Sequence, residues 1–528
     1  MNRNDDFIDV YARIRSEVLC KSLTNLKAHL KTSSLGTMSN LSGINISPLL
    51  GGRKNLHLTR NDAITFRRTP GTGVNAPDKP STAGGIMKKF TDVGMDLLGS
   101  GSNKNSLNNS MTSSESKFEL YEVALTERDI VSYVTIVTGL FKLMQFEQKL
   151  LEEVIAPEHH KIIFSRLIKE SLDFFFQEGD SLAQRVKKCL QKQDFNSALC
   201  LLPVLRYHAH MRNHFDLLLD GCESSVVSKM LQLGMTLQTT ISKSLEEFFE
   251  YIKLDDNARV PKDGTVHELT SNVMMFLVNL NPYLDILGRV LMIPDMRSME
   301  ASSDKNRVAF SQYITKVLGA LSLSLNKKSE TYHDSILKSL FILNNNYYIL
   351  KTLIKNQLIE IVRLYQRDQI ENNYHQMIRR DKINYRKSWD RILDYLLETK
   401  FPISQQKITS SPYYSGTLPG SASAHNLSSQ VSSGLKLKDK DRQAIKDKFS
   451  GFNKEFEALC STQCNYAVPD SELRYELVQE NIQLIVPKYS LFYNKYSQMD
   501  FTRNIQKYIR YSPDHVAQKI STFFDSAA

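Results

Sequence analysis

The chain is poor in the residues that mark several common classes of protein. Six cysteines and one tryptophan are spread over 528 residues. So few cysteines exclude a dense disulfide framework and favour a reducing, cytosolic setting. The first residues are polar and acidic, which predicts no signal peptide. The apolar uncharged run 269–284 is too short and too rich in asparagine to span a bilayer, so we expect any membrane contact to be peripheral.

Glycine is scarce where the chain is most regular. Residues 118–400 contain seven of the 22 glycines and no clean two-residue alternation bounded by hairpin turns, which argues against strands. Apolar residues recur there every three or four positions, in segments separated by short loops. The sequence therefore predicts an all-α fold, an elongated rod of stacked antiparallel helical bundles.

Composition divides the chain into segments. Residues 32–117 hold half of the glycines, with many serines and asparagines and little periodicity, which predicts disorder. Residues 401–435 are rich in serine, glycine and proline, which predicts a second irregular region. The predicted segments are an N-terminal helix at 1–31, a disordered basic linker at 32–117, helical bundles at 118–260 and 261–400, a flexible loop at 401–435, and a C-terminal basic helical bundle at 436–528.

Basic residues concentrate near both ends of the last bundle. Seven basic residues stand against three acidic ones over 436–454, and five against one over 488–510. A helix predicted at 502–511 would place Lys507 and Arg510 on one face and turn Ile505 and Ile509 inward. The residues predicted to bind an anionic surface are Lys507, Arg510, Arg503, Lys436, Lys438, Lys440, Arg442, Lys446 and Lys448.

Patterns typical of catalysis or metal binding are missing from the sequence. It has no glycine-rich phosphate loop, no nucleophile elbow and no positioned acid–base pair. Cys460 and Cys464 lack a second pair of ligands, and His208, His210 and His214 do not align on one helical face. We therefore predict that the chain is not an enzyme and has no metal site and no cofactor.

Several longer runs of the sequence carry a resemblance to known proteins. The runs are Pro261-Lys-Asp-Gly-Thr-Val-His-Glu-Leu-Thr-Ser-Asn272, Asp6-Phe-Ile-Asp-Val-Tyr-Ala-Arg-Ile-Arg-Ser16, Pro157-Glu-His-His160, Asn344-Asn-Asn-Tyr-Tyr-Ile-Leu350, Lys448-Phe-Ser-Gly-Phe-Asn453 and Lys507-Tyr-Ile-Arg-Tyr511. They resemble one known family, the seventy-kilodalton subunit of the exocyst (exocyst complex component seven). They occur in family order and span almost the whole chain, and they match the part that follows the family's N-terminal coiled-coil region.

The resemblance implies a non-enzymatic subunit that tethers secretory vesicles to the plasma membrane in exocytosis. It implies that the C-terminal bundle binds phosphatidylinositol 4,5-bisphosphate, with Lys507 and Arg510 at the family's lipid-contacting positions and Arg510 standing where lysine is usual. It also implies other exocyst subunits and a Rho-family GTPase as partners, no nucleic acid, and a cytoplasmic location, peripheral at the inner face of the plasma membrane.

From the residues alone, two alternatives stay open. The first is a nucleic-acid-binding helical scaffold, because cations beside Tyr508 and Tyr511 could contact phosphates and stack on bases. The second is a cytosolic protein–protein scaffold with no lipid contact. Only the first of these predicts affinity for RNA or DNA, and neither predicts specific binding to a phosphoinositide.

Overall fold

The structure of the protein is a computed structural model. It describes residues 3–32, 125–255, 259–291, 303–397 and 437–524. The segments predicted as a disordered linker and a flexible loop, apart from Thr32, lie outside the described residues.

Every regular element in these described ranges is a helix, so the predicted all-α fold is confirmed. Three short 3-10 turns, Pro157–His159, Asn281–Tyr283 and Lys387–Trp389, connect longer helices. The α-helices in chain order are α1 Arg3–Thr32, α2 Glu127–Val154, α3 His160–Gln191, α4 Asn196–Leu199, α5 Leu201–Leu218, α6 Ser224–Leu254, α7 Glu268–Leu280, α8 Leu284–Val290, α9 Ser303–Ser329, α10 Ser335–Lys355, α11 Leu358–Gln366, α12 Gln369–Arg386, α13 Asp390–Leu396, α14 Asp439–Gln463, α15 Ser471–Tyr496, α16 Ile505–Tyr508 and α17 Pro513–Ser521.

The chain forms two compact units. The first comprises Met1–Ile252 with Met275–Ile314, and the second comprises Lys253–Met274 with Thr315–Ala528. The bundle boundaries predicted from composition at 260/261 and 435/436 stay predictions.

In the first unit, α1 packs on α2 and α3 and lies where the sequence predicts an N-terminal helix. One of its faces is buried through Leu19, Leu23 and Leu30. Arg15 donates from Nε to the carboxylate of Glu147 at 2.9 Å. The side chain of Glu147 is only 2% exposed, so the arginine offsets the free-energy cost of burying its charge. The opposite face carries four exposed apolar side chains, Phe7, Val10, Ile14 and Val18.

Helix α3 contains a glycine in its interior. Gly179 lies inside α3 and is buried, although a glycine after an apolar helical pattern is typical of a helix end. A Cβ at this position would lie 2.8 Å from a methyl group of Leu233 on α6 and 3.0 Å from the hydroxyl of Tyr133 on α2. The glycine therefore permits close helix packing, a role that produces the same sequence signal as a C-terminal cap.

In the second unit, the run 261–272 is a loop as far as His267 and continues as the first residues of α7. Gly264 has φ +76°, in the left-handed region that glycine adopts without strain. The Nδ2 of Asn344, buried on α10, donates to the carbonyl oxygens of Gly264 and Ala467, each at 2.8 Å. One side chain thus joins two loops that are far apart in sequence.

Asn345, the next residue of α10, fixes the start of α7. The side-chain oxygen of Asn345 accepts from the backbone N–H of His267 at 3.0 Å and from the Thr270 hydroxyl at 2.6 Å. All three residues are buried, so each of these polar groups needs its partner.

Two described helices, Glu127–Val154 and Lys305–Ser329, are long and apolar enough to cross a bilayer by length and composition alone. Within the most apolar stretch of each, 56% and 61% of the residues are buried inside the fold. That burial is what core helices of a bundle show, so we place no membrane span here.

Candidate functional site

The segment that carries Lys507 and Arg510 is not the helix predicted at 502–511. Only one turn forms, α16, and it begins where the side chain of Asn504 accepts from the backbone N–H of Lys507. The chain then leaves helical geometry at Ile509, with φ −90° and ψ 85°. Because the turn ends before Arg510, the prediction that Lys507 and Arg510 share a helical face is wrong.

The isoleucines of this segment are also placed differently. Ile505 was expected to pack inward with Ile509, but its side chain is 45% exposed and Ile509 is only half-buried. The reason is the same short turn, since a seam with a spacing of four residues needs a continuous helix.

The segment is held to the bundle through its backbone. Asn453 on α14 donates from Nδ2 to the carbonyl oxygen of Tyr508 at 2.7 Å. Tyr489 on α15 donates its hydroxyl to the carbonyl oxygen of Tyr511, also at 2.7 Å. These two bonds fix the backbone directly after Lys507 and directly after Arg510. The side chains of Lys507 and Arg510 are both exposed.

Arg510 is paired with a carboxylate. Its Nη1 lies 2.9 Å from Oε1 of Glu457 on α14, and the hydroxyl of Tyr511 donates to the same oxygen at 2.9 Å. The Tyr511 hydrogen bond and the Arg510 guanidinium lower the pKa of Glu457. Burial and the nearby carboxylate raise the pKa of Tyr511 to about 12. At neutral pH Glu457 is therefore ionised and Tyr511 is protonated, the states that favour both contacts of the Glu457 carboxylate.

Lys507 and Arg503 differ from Arg510 in this respect. Both side chains are exposed, and neither forms an ion pair within the described part of the chain. The ammonium of Lys507 lies 5.8 Å from the ring centroid of its neighbour Tyr508. These two residues are the uncompensated cations of the segment.

Most of the basic stretch 436–454 lies in α14, which begins at Asp439, and Lys436 itself lies outside the described residues. Lys438 precedes its first turn, and both it and Lys440 are exposed. Arg442 lies 3.5 Å from Asp439. Lys448 donates from Nζ to the carbonyl oxygen of Leu397 at 3.2 Å.

The helix geometry separates these cations into different faces. At 3.6 residues per turn, Lys446 lies within about 20° of Asn453 around the axis and about 10 Å before it. Asn453 holds the α16 segment, so Lys446 is on the side of α14 that this segment contacts. Lys440 and Lys448 lie more than about 100° away from Lys446 in opposite directions. The structure thus groups Lys446 with the α16 segment and separates Lys440 and Lys448 from it.

Glu457 and Asn453 are the residues of this region that sequence reasoning missed. Each acts across more than fifty residues, on Arg510 and Tyr508 respectively. Neither stands in a local pattern that would have signalled such a contact.

The described residues show no other reactive constellation. Among them, no group of three or more histidine, cysteine or acidic side chains could hold a metal ion. The six cysteines, all within the described ranges, form no disulfide, and burial raises the pKa of Cys460 to about 11, which keeps its thiol protonated. A cleft of about 350 Å³ in the first unit is lined by Arg206 and Asp285, which already pair with each other.

Comparison with known proteins finds sequences and structures that are similar to this chain. The family model for the C-terminal part of the Exo70 exocyst complex subunit matches residues 128–522. Exocyst complex component 7 of Homo sapiens is 31% identical, over all of this chain and 71% of the human protein. Its counterpart in Drosophila melanogaster is 28% identical, over 99% of this chain and 70% of that protein.

A solved structure of Exo70 from Saccharomyces cerevisiae covers 74% of this chain and 70% of its own, with a TM-score of 0.43 and 16% identity. In this chain, the helical fold and the exposed cations Arg503 and Lys507 define an all-helical bundle protein with a basic C-terminal surface. The match to the family model and to the human relative is more specific. The chain belongs to the Exo70 family of exocyst subunits.

Proposed function

We propose that the chain acts as a non-enzymatic exocyst subunit that tethers secretory vesicles to the plasma membrane. Its C-terminal surface would bind phosphatidylinositol 4,5-bisphosphate at the inner face of that membrane. A Rho-family GTPase and fellow exocyst subunits would contact other surfaces. Membership of the exocyst family supports the tethering role and the subunit partners.

The observation that carries the lipid proposal is the pair of uncompensated cations on a segment fixed by its backbone. Arg503 and Lys507 are both exposed, while Asn453 holds the segment at Tyr508. A fixed backbone reduces the conformational entropy that binding would otherwise cost. Lys446, on the adjoining side of α14, can add a third positive charge.

The magnitude of this attraction limits what the surface does alone. Each basic residue near an anionic leaflet contributes about 1 kcal/mol, so three contribute about 3 kcal/mol, or roughly a hundredfold in affinity. Such binding is weak and screened by salt. We therefore expect stable attachment to depend on further exocyst subunits on the same membrane, which raise the effective concentration.

The test compares two double variants of the full chain that remove the same charge. Arg503→Ala with Lys507→Ala removes the uncompensated pair. Lys440→Ala with Lys448→Ala removes two cations of α14 from faces away from the α16 segment. Co-sedimentation with phosphatidylcholine vesicles, with and without a few per cent of phosphatidylinositol 4,5-bisphosphate, measures the affinity of each.

We expect the first double variant to lose about tenfold or more in affinity for the phosphoinositide vesicles and the second to lose much less. Equal losses would reject the site, because they would mean that overall charge alone decides binding. Failure of the unmodified chain to bind these vesicles at moderate salt would reject the lipid function. Equal affinity for RNA or DNA at the same salt would do so as well.

A further inference from the structure

Ile505 is an exposed apolar side chain placed between two uncompensated cations. It begins the single turn α16, two residues after Arg503 and two before Lys507, and its side chain is 45% exposed. The carbonyl oxygen of Ile505 accepts from the N–H of Ile509 at 2.9 Å. The Asn504 cap at one end and the bond from Asn453 at the other keep the turn from unwinding.

Single exposed apolar residues are common on protein surfaces and do not by themselves indicate a function. Leu323 on α9, for example, is 74% exposed. The charge around Ile505 distinguishes it from such cases. Arg503 and Lys507 have no carboxylate partner within the described residues, so the positive charge on both sides of the isoleucine stays available to an anionic surface.

We propose that Ile505 inserts into the acyl-chain region of an anionic bilayer while Arg503 and Lys507 contact lipid phosphates on either side of it. This inference rests on the proposed phosphoinositide-binding function and adds a hydrophobic component to it. Phosphates lie at the membrane surface, directly above the acyl chains, and the long stems of arginine and lysine let their charged heads stay at that level. When the charged groups of Arg503 and Lys507 lie at the level of the phosphates, the side chain of Ile505 between them reaches the acyl chains beneath that level.

The insertion changes how binding responds to salt. Attraction between the cations and phosphates weakens as ionic strength rises, whereas transfer of an apolar side chain out of water does not. The isoleucine therefore contributes a larger share of the total binding free energy as salt is raised, although its own contribution stays constant. Ile505→Asn should weaken vesicle binding about five- to tenfold at all salt concentrations, while the loss caused by Lys507→Ala should shrink as salt is raised.

The decisive experiment uses the single tryptophan of the chain as a built-in control. Trp389 is fully buried and stacks on Phe523 at 6.0 Å between ring centroids, so lipid should not quench its fluorescence. Ile505→Trp in the full chain adds a second fluorophore at the proposed insertion point. Leu323→Trp adds one at an exposed apolar position without this pair of flanking cations.

Each protein is titrated with phosphatidylinositol 4,5-bisphosphate vesicles whose acyl chains are either brominated or not. We expect bromine to quench the added fluorescence of Ile505→Trp and to leave the unmodified chain and Leu323→Trp unchanged. Binding without quenching of Ile505→Trp would overturn the insertion and leave the lipid function standing. A chain that does not bind these vesicles at all would overturn both. Quenching of both variants to the same extent would also overturn the assignment to Ile505.

Discussion

Arg510 and Lys507 are three residues apart, yet only Arg510 is neutralised by a carboxylate, that of Glu457 at 2.9 Å. The two cations were equivalent in the sequence prediction, where both were expected to contact lipid. In the structure the guanidinium of Arg510 must leave Glu457, or share it, before it can bind a phosphate. Lys507 has no such competitor among the described residues.

The first prediction concerns this competition. Lys507→Gln should weaken binding to phosphatidylinositol 4,5-bisphosphate vesicles more than Arg510→Gln does. Glu457→Gln should strengthen it about three- to fivefold, because it releases the Arg510 charge and removes a nearby negative one. The glutamine can still accept the hydrogen bond of Tyr511, so the segment should keep its position. Vesicle co-sedimentation measures all three variants.

Glu158→Gln is the matched control, since it makes the same change of net charge at an exposed glutamate of the first unit. It should leave the affinity nearly unchanged. A gain as large as that of Glu457→Gln would show that net charge, and not the release of Arg510, sets the affinity.

The sequence predicted the helical architecture well because apolar periodicity is a local signal. The buried positions of α14, including Ile445, Phe449, Phe452 and Phe456, follow that periodicity. A serine followed by proline is likewise a local signal for the start of a helix, and the structure places Ser512 and Pro513 at the N-cap and first position of α17.

What the sequence could not predict depends on distant contacts. The length of α16 is set by the Asn504 cap and by a carbonyl bond from Asn453, 55 residues before Tyr508. Without knowing that contact, the spacing of Ile505 and Ile509 favours a longer helix. The pairing of Arg510 with Glu457 is non-local for the same reason. The cations predicted to bind an anionic surface therefore include residues that the structure distinguishes: Arg510 is paired, Lys507 is unpaired within the described residues, and Lys440 and Lys448 lie on other faces of α14.

The second prediction concerns Asn344, whose amide joins two loops of the second unit. Asn344→Leu should lower the free energy of unfolding of this unit by about 2–4 kcal/mol, because the carbonyl oxygens of Gly264 and Ala467 would be left buried without a donor. Thermal unfolding followed by circular dichroism measures the loss. Asn372→Leu, at an exposed position of α12, should change stability little. Equal effects of both variants would contradict the role of Asn344.

The third prediction uses Trp389 to report on the last helix. Its Nε1 donates to Asn481 at 2.8 Å, and its ring stacks on Phe523, which follows α17. Phe523→Ala removes a buried ring, a change that typically lowers the free energy of unfolding by about 3–5 kcal/mol. We expect a red shift of the tryptophan emission and weaker vesicle binding, because α17 follows directly on the segment with Lys507.

Leu491→Ala, at a side chain that is 74% exposed on α15, is the control for this experiment. It removes a large apolar side chain from the same unit without opening the core. Its emission should match that of the unmodified chain. An unshifted emission in Phe523→Ala would mean that the end of the chain does not shield Trp389.

The fourth prediction concerns pH. His208 on α5 has its Nε2 buried without a hydrogen-bond partner and its ring stacked on Phe175 at 6.3 Å between centroids. Burial, and to a lesser extent Arg212, lowers the pKa of His208 from 6.5 to about 4. The unfolded chain therefore binds a proton at this residue at higher pH than the folded chain does. Stability should fall as pH drops from about 6.5 toward about 4 and level off below that.

The expected loss by pH 5 is about 2 kcal/mol, or several degrees in the unfolding temperature of the first unit. His208→Phe keeps an aromatic ring beside Phe175 but cannot take up a proton, so its unfolding temperature should change less between about pH 7 and pH 5. His210→Phe, two residues later at an exposed position, should keep the pH dependence of the unmodified chain. If His208→Phe retained the full dependence, the acid sensitivity of this unit would have to come from other groups.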